Sequence, residues 1–213
     1  MTKNNLIEQI QIIKVESLGK GKLRITFENQ VSCIVYRTEI RGYHLQEGSY
    51  ISEEQYQILM KDIVGKRAKK RALHLLEQMD RTEQQLRDKL QSSEYPQECV
   101  EDAIDYVKSF HYLDDVRYAE NYTRYSQEKL SRTQIKQKLM TKGVSQETIQ
   151  LALEHEYSAD ESEHIRRLLD KRGYEYAGHD EGEFRRTYQY LLRRGFRSSD
   201  ILREMKCKEL SYE

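Results

Sequence analysis

The stretch FHYLDDVRYA, from Phe110 to Ala119, lies between two segments whose apolar residues follow the same pattern. The matched positions, all 49 residues apart, are Leu86 and Ile135, Leu90 and Leu139, Tyr95 and Val144, Val100 and Ile149, and Ile104 and Leu153. A gap-free internal repeat with a period near this length is typical of stacked helical units. The quoted stretch is therefore predicted to be the hinge where one repeat ends and the next begins.

Within this hinge each residue has a predicted structural role. Leu113 is expected to close the core of one repeat, and Asp114 or Asp115 to cap the first helix of the next by accepting its unpaired backbone N–H groups. Arg117 follows in the first turn of that helix. We interpret Leu113, Asp114, Asp115 and Arg117 as a structural hinge motif.

A looser third copy follows at a spacing of 52 residues. Its matched pairs are Leu139 and Leu191, Gly143 and Gly195, Val144 and Phe196, and Ile149 and Ile201. The predicted fold is mainly α, with three tandem three-helix repeats (residues 61–112, 113–157 and 158–213) that form an elongated, curved rod.

The segment before the repeats, residues 1–60, reads differently. Apolar residues alternate between about Leu6 and Tyr36, which predicts a small three-stranded β-meander. Residues 37–45 form a short amphipathic piece, and Ser52 with Gln55 has the spacing of a helix capping box. Gly65 could either break the helix that follows or be a weak point within it.

Composition limits the classes of protein that the chain can belong to. One proline and ten glycines in 213 residues favour long helices over a loop-rich or disordered chain. The three cysteines, Cys33, Cys99 and Cys207, have no metal-ligand or disulfide spacing. No apolar run approaches the roughly 20 residues that span a bilayer. We therefore expect a soluble, cytoplasmic monomer.

The formal net charge of zero conceals a separation of charge along the chain. Two blocks without acidic residues fall on the second helix of the second and third repeats and on the turns that follow. They contain Lys129, Arg132, Lys136, Lys138 and Lys142, and Arg185, Arg186, Arg193, Arg194 and Arg197. Either these helix faces are simply solvated, or the blocks stack into a basic stripe that binds a polyanion or a filament built around one.

Two further features have a functional and a structural interpretation. A secondary basic cluster, at the start of the repeats, consists of Lys66, Arg67, Lys69, Lys70 and Arg71. It is either part of the partner-binding surface or a solvated helix face. Tyrosines near the arginines, such as Tyr188 and Tyr190, could stack on bases, although a tyrosine at helical spacing more often belongs to a core with its hydroxyl at the rim.

No motif in the sequence predicts catalysis. The six histidines fall at no metal-ligand spacing, and HExxH, GxSxG, Walker A and GxGxxG patterns are absent. Asp114 and Asp115 could be read as a carboxylate pair for a metal ion, but a helix cap explains them better. The chain is expected to be no enzyme and to need no cofactor or metal.

The hinge stretch Tyr112–Ala119 resembles the Gly-Tyr-Leu-Asp-Asp-x-Arg-Phe-Ala motif of the RecX family of bacterial recombination regulators. Lys142-Gly143-Val144 is similar to the family's Lys-Gly-Ile turn, and residues 193–196 match its Arg-Arg-Gly-Phe turn. The resemblance covers about residues 68–205, and residues 1–60 look like the extension of longer members. His111 stands where the family usually has glycine, which puts the tightness of the hinge in question.

The resemblance implies a non-enzymatic partner of the RecA filament on single-stranded DNA, one that inhibits its ATPase, strand exchange and promotion of repressor self-cleavage. It supplies no catalytic residues, so the expected contacts rest on the basic blocks. Two other hypotheses remain. Basic three-helix units resemble helix-turn-helix modules, so the protein could act by binding DNA directly, without RecA. Weak direct binding to DNA is also compatible with the RecA hypothesis. It could also be a helical scaffold for another partner.

Overall fold

The computed structural model describes residues 9–176 and 181–206. Four strands precede the helices: β1 (Gln9–Gly19), β2 (Lys22–Phe27), β3 (Ser32–Tyr36) and β4 (Tyr50–Ser52). The helices are α1 (Glu53–Ile58), α2 (Lys66–Gln78), α3 (Glu83–Gln91), α4 (Gln97–Ser109), α5 (Asp115–Ser126), α6 (Arg132–Thr141), α7 (Gln146–Glu156), α8 (Glu161–Arg172), α9 (Glu181–Arg193) and α10 (Ser198–Lys206). The chain is mainly helical, as predicted.

The chain divides between Asp114 and Asp115 into two compact units. The first contains the sheet and the first repeat, α2 to α4. The second contains the second repeat, α5 to α7, and the third, α8 to α10. This division falls inside the stretch that the sequence singled out as a hinge.

The N-terminal strands form one antiparallel sheet in the order β3-β2-β1-β4. The predicted meander is confirmed, but the short strand β4 was missed because its three residues carry too little alternation to stand out. The short amphipathic piece at residues 37–45 contains turns, and residues 37–49 contain no helix. One face of the sheet, including Ile12, Ile25 and Phe27, is buried.

The sheet shares its core with the first repeat. Phe27 packs edge-on against Tyr56 of α1 with ring centroids 5.0 Å apart, and the same cluster of buried side chains continues to Leu86, Val100 and Leu113. The predicted boundary at residue 60 lies within a continuous helical run. The sheet is therefore part of the first unit rather than an appendage to it.

Gly65 lies at the end of a π-helical segment, Leu59–Gly65, that joins α1 to α2 without a break. A Cβ atom at Gly65 would lie 3.0 Å from the carbonyl oxygen of Met60. That carbonyl also accepts a hydrogen bond from the Cys99 thiol, with a sulfur–oxygen distance of 3.4 Å. Glycine thus permits the wider turn, which settles the alternative left open by the sequence.

In the first two repeats the second and third helices start at equivalent positions. Thr82 and Ser131, 49 residues apart, both make complete capping boxes at the start of α3 and α6. Pro96 and Ser145, again 49 apart, are the N-cap residues of α4 and α7. Pro96 has an extended ψ of 148°, which places it at the N-cap position, just before the first helical residue.

The turn after the second helix is also repeated. In the second and third repeats Gly143 and Gly195 have φ angles of 83° and 81°, and the next residues, Val144 and Phe196, are buried. In the first repeat Glu94 takes the same position with a φ of 60°, and Arg24 of β2 binds its carboxylate at 2.6 Å. The matching turns confirm the internal repeat.

Gly195 has a second constraint besides its backbone angle. A Cβ atom there would lie 2.7 Å from the Cβ of Thr133 on α6, whereas a Cβ at Gly173, the C-cap of α8 with a φ of 65°, would meet nothing within 4 Å. The turn at Gly195 is therefore packed directly against the start of α6.

We expect Gly195→Ala to destabilise the protein more than Gly173→Ala. Both substitutions cost about 1–2 kcal/mol because alanine disfavours positive φ, and Gly195→Ala adds about 1–3 kcal/mol of steric overlap. Urea unfolding followed by circular dichroism measures both. Equal losses would contradict the packing of this turn on α6.

Burial also controls the chemistry of two cysteines in the first unit. Desolvation raises the pKa of Cys33 to about 12 and that of Cys99 to about 11. In the unfolded chain a thiol has a pKa of about 8.5. The stabilisation from keeping these thiols neutral is fully present below that pH and is lost as the pH rises toward the folded values.

We therefore expect native Cys33 and Cys99 to resist iodoacetamide at about pH 8, close to the unfolded pKa, and to react once urea unfolds the chain. Mass spectrometry of the labelled peptides checks this. A Cys33→Ala variant should also lose less stability than the parent as the pH is raised. Rapid native labelling would show that the thiols are not buried. Cys207 lies outside the described residues.

Candidate functional site

The basic residues predicted on α6 do not share one face. The Arg132 guanidinium lies 5.8 Å from the ring centroid of Tyr157, next to the start of α8. The Lys142 ammonium, at the other end of α6, lies 5.5 Å from the ring centroid of Tyr122 on α5. Lys136 and Lys138 lie between them. The cations at the two ends of α6 thus lie over tyrosines of different neighbouring segments.

The remaining basic residues converge beside the junction of the second and third repeats. A cavity of about 410 Å³ opens there, between the segment before α6, helix α8, and the end of α9. Five cations line it, with Glu128 as the one carboxylate among its lining residues in the described chain: Lys129, Arg167, Lys171, Arg172 and Arg194. The floor includes the apolar side chains of Leu168 and Phe196.

The ring of Tyr190 holds two of these cations. The guanidinium carbon of Arg172 lies 4.7 Å from its centroid and that of Arg194 lies 4.8 Å away. Cation–π contact of this kind restrains the guanidinium while leaving its N–H groups able to donate. Tyr190, one of the tyrosines for which base stacking was one of two interpretations, thus contacts two arginines.

A second hollow of about 350 Å³ adjoins the first, since both are lined by Arg172 and Tyr190. Its other lining residues are Arg185, Arg186, Gln189 and Arg193. We call the cations of the two hollows the basic face: Lys129, Arg167, Lys171, Arg172, Arg185, Arg186, Arg193 and Arg194. Arg197, predicted in the same block, is exposed but lines neither hollow.

Most cations of this face have no acidic neighbour. Throughout residues 9–176 and 181–206, no carboxylate lies within 4.0 Å of the charged nitrogens of Lys129, Lys171, Arg172, Arg193 or Arg194. Arg87 in the first unit, by contrast, binds both Glu83 and Glu101 at 2.7 Å or less. Uncompensated like charges repel one another, so the basic face favours a bound anion.

Local structure explains how the face is assembled. Helix α8 ends at Gly173, whose left-handed conformation stops the helix just after Lys171 and Arg172. The buried ring of His164 donates from Nε2 to the carbonyl of Glu128 at 2.7 Å, which ties α8 to the segment before α6. Cations at the last turn of a helix are also favoured by its dipole.

Sequence analysis missed the three cations contributed by α8, namely Arg167, Lys171 and Arg172. The predicted basic blocks are stretches without acidic residues, whereas Glu163 and Asp170 lie among the cations of α8. The available signal was helical spacing, since Arg167 and Lys171 are four residues apart and therefore share a face. That face was identifiable only once the neighbouring helix was known.

Comparison with known proteins identifies the fold family. The RecX first, second and third three-helix domains match residues 68–106, 114–153 and 159–205, which together make up more than half of the chain. The chain belongs to the RecX family. The regulatory protein RecX of Caldanaerobacter subterraneus subsp. tengcongensis is 31% identical over 90% of this chain and 94% of its own length.

Other relatives agree with this assignment. The regulatory protein RecX of Clostridioides difficile is 27% identical over 95% of this chain and 97% of its own length. A crystal structure of a regulatory protein RecX superposes with a TM-score of 0.63 at 25% identity, covering 93% of this chain and 99% of that one. The three RecX domains correspond to the repeats α2–α4, α5–α7 and α8–α10.

The hinge motif lies where the first unit ends and α5 begins. Leu113 is 5% exposed and belongs to the core of the first unit, and α5 begins at Asp115, which places Asp114 at the position before the helix. Arg117 is exposed in the first turn of α5. His111 has a φ of 57°, the conformation that glycine adopts readily, so the substitution keeps the turn.

Neither membrane nor metal features occur in the described ranges. None of the helices there combines the length and apolarity needed to cross a membrane. Likewise, no group of three histidine, cysteine or acidic side chains in those ranges could hold a metal ion. Asp114 and Asp115 are thus not part of a three-ligand metal site within the described ranges.

Within the secondary basic cluster, Arg67 has a structural role. Arg67 binds the Glu39 carboxylate at 2.7 Å, donates to the carbonyl of Ile34, and lies over the rings of Tyr36 and Tyr95. It therefore joins α2 to the sheet and contacts the face of β3 that carries Ile34 and Tyr36. Lys70 and Arg71, by contrast, are exposed.

We expect Arg67→Ala to destabilise the first unit by about 1–3 kcal/mol, because it leaves Glu39 and the Ile34 carbonyl without this partner. Lys70→Ala, on the exposed side of the same helix, should change stability by less than about 0.5 kcal/mol. Denaturant unfolding compares the two variants. If Arg67→Ala were neutral, the guanidinium would not be a structural link.

Proposed function

We propose that this chain is a non-enzymatic regulator that binds the RecA filament on single-stranded DNA. On this proposal it inhibits the filament's ATPase, strand exchange and promotion of repressor self-cleavage. The observation that carries the proposal is the match of all three repeats to RecX domains, together with relatives named regulatory protein RecX along nine-tenths of the chain.

The charge distribution supports a partner of this kind. A filament on DNA contains a polyanion, and five cations of the basic face, Lys129, Lys171, Arg172, Arg193 and Arg194, have no carboxylate within 4.0 Å among the described residues. Contacts of modest strength, when several act together on one chain, raise the affinity through effective concentration. The other predicted contacts stay part of this proposed surface: Arg132, Lys136, Lys138, Lys142 and Arg197.

The proposal is tested with RecA's ATPase on single-stranded DNA, titrated with this protein at physiological salt. A parallel assay measures binding to the same DNA without RecA. We expect the ATPase to fall at concentrations where bare DNA is scarcely bound. If the ATPase fell only in step with occupancy of bare DNA, competition for DNA would explain the inhibition. The direct DNA-binding hypothesis would then replace the filament model.

Charge reversal at Lys136, Lys138, Arg193 and Arg194 together should weaken filament binding and inhibition. The fold should survive, because the third-repeat turn docks through the backbone carbonyl of Arg194 rather than its side chain. Co-sedimentation with the filament and the ATPase assay measure the effect, and circular dichroism checks helicity.

A matched control reverses four exposed cations of the first unit instead: Lys20, Arg41, Lys61 and Lys89. This variant has the same change in net charge and should inhibit like the parent. Unchanged inhibition by the well-folded first variant would remove these four residues from the proposed contact. Equal loss in both variants would indicate a non-specific effect of net charge.

A further inference from the structure

The larger basic cavity draws its walls from two repeats. Lys129 and Gln134 come from the second repeat, while Arg167, Lys171 and Arg172 come from α8 of the third. The two walls are already joined at one side by the Ser131 hydroxyl, which donates to the carbonyl of Arg194 at 2.5 Å. An anion bound by cations of both walls would therefore form a second link between the two repeats.

The chemistry of the cavity selects for phosphate. Five cations face one carboxylate, and a concave surface focuses their field. Three of the five are arginines, whose planar fork of N–H donors matches phosphate oxygens in pairs. Arg172 and Arg194 are restrained by Tyr190, so little side-chain freedom remains to be lost when they bind.

The adjoining hollow extends the site in one direction. It shares Arg172 and Tyr190 with the first and adds Arg185, Arg186 and Arg193. A single small anion would occupy one hollow, whereas a chain of linked phosphates would occupy both. The lining residues of the two hollows include one aromatic ring in common, and that ring already contacts two guanidinium groups.

We propose that the two hollows hold successive phosphates of a single nucleic-acid strand, through its backbone and without base stacking on Tyr190. Tyr190 is then a positioning residue that holds Arg172 and Arg194. Occupancy ties the second repeat to the third. The inference deepens the proposed function, on which it rests for its biological role, by placing the DNA contact of the regulator at a defined site.

The test uses fluorescence anisotropy of labelled oligothymidylate with the full chain, without RecA, over a range of salt concentrations. Arg172→Ala with Arg194→Ala should weaken binding. Because each phosphate contact on a single strand contributes about 0.7 to the slope of log affinity against log salt, the double variant should lower that slope by about 1.4. Lys61→Ala with Lys89→Ala, both exposed in the first unit, removes the same charge elsewhere and should leave the slope unchanged.

Tyr190 variants separate positioning from general stability. Tyr190→Phe keeps the ring and should bind like the parent, whereas Tyr190→Leu keeps every cation and should bind less tightly. A thermal-unfolding measurement accompanies each variant. Oligothymidylate should raise the unfolding temperature of the parent and of Tyr190→Phe, and should raise that of the arginine double variant less.

Several results would overturn the proposal. These are an unchanged salt slope in the arginine double variant, equal weakening in the lysine control, or equally tight binding of Tyr190→Leu. Competition by tripolyphosphate as effective as oligothymidylate at equal phosphate would assign the site to free polyphosphate. Competition by polyglutamate of equal effectiveness would assign it to an acidic protein segment.

These experiments distinguish failure of the phosphate site from failure of the proposed function. If the arginine double variant loses oligothymidylate binding but still inhibits the RecA ATPase, the phosphate site stands and inhibition uses another surface. If the parent protein binds and stabilises with oligothymidylate but never inhibits RecA, the proposed function fails while the site remains. If oligothymidylate binding is unaffected by the variants, the site fails whatever the ATPase shows.

Discussion

The hydroxyl of Ser131 joins the second repeat to the third. It caps α6 by accepting a hydrogen bond from the backbone N–H of Gln134, and it donates one to the carbonyl of Arg194 in the turn after α9. Ser131 is 1% exposed, so both bonds form away from water, where breaking either would be costly. The contact brings the end of α9 to the start of α6, and the basic cavity lies beside it.

The same contact explains why Gly195 is glycine. Its backbone lies so close to Thr133 that a side chain would overlap it, and its positive φ directs Phe196 into the core of the third repeat. The equivalent turn of the second repeat, at Gly143, shares the positive φ. One turn geometry thus serves the core of each repeat, and at Gly195 it also serves the junction.

Cations in this protein are handled in two ways. Some are neutralised within the fold: Arg87 by Glu83 and Glu101, Arg67 by Glu39, and Arg124 by Glu156. Five cations of the basic face, by contrast, have no carboxylate within 4.0 Å in the described part of the chain: Lys129, Lys171, Arg172, Arg193 and Arg194. A folded protein tolerates such a cluster on a solvated surface at modest cost, and a binding partner with phosphates would relieve it.

The sequence by itself determined the repeat, the helix starts and the turns, because these depend on residues close together in the chain. The spacing of 49, the capping residues Thr82 and Ser131, and the hinge at Leu113 follow from local hydrogen bonding and apolar periodicity. Only the tertiary structure decided which cations act together. Lys129 and Arg172 meet through the packing of separate helices, while Arg67 is withdrawn into the first unit by contacts with residues 28 or more positions away. The order of charged residues in the sequence does not predict such contacts, because they form between segments that are far apart in the chain and close only in the folded structure.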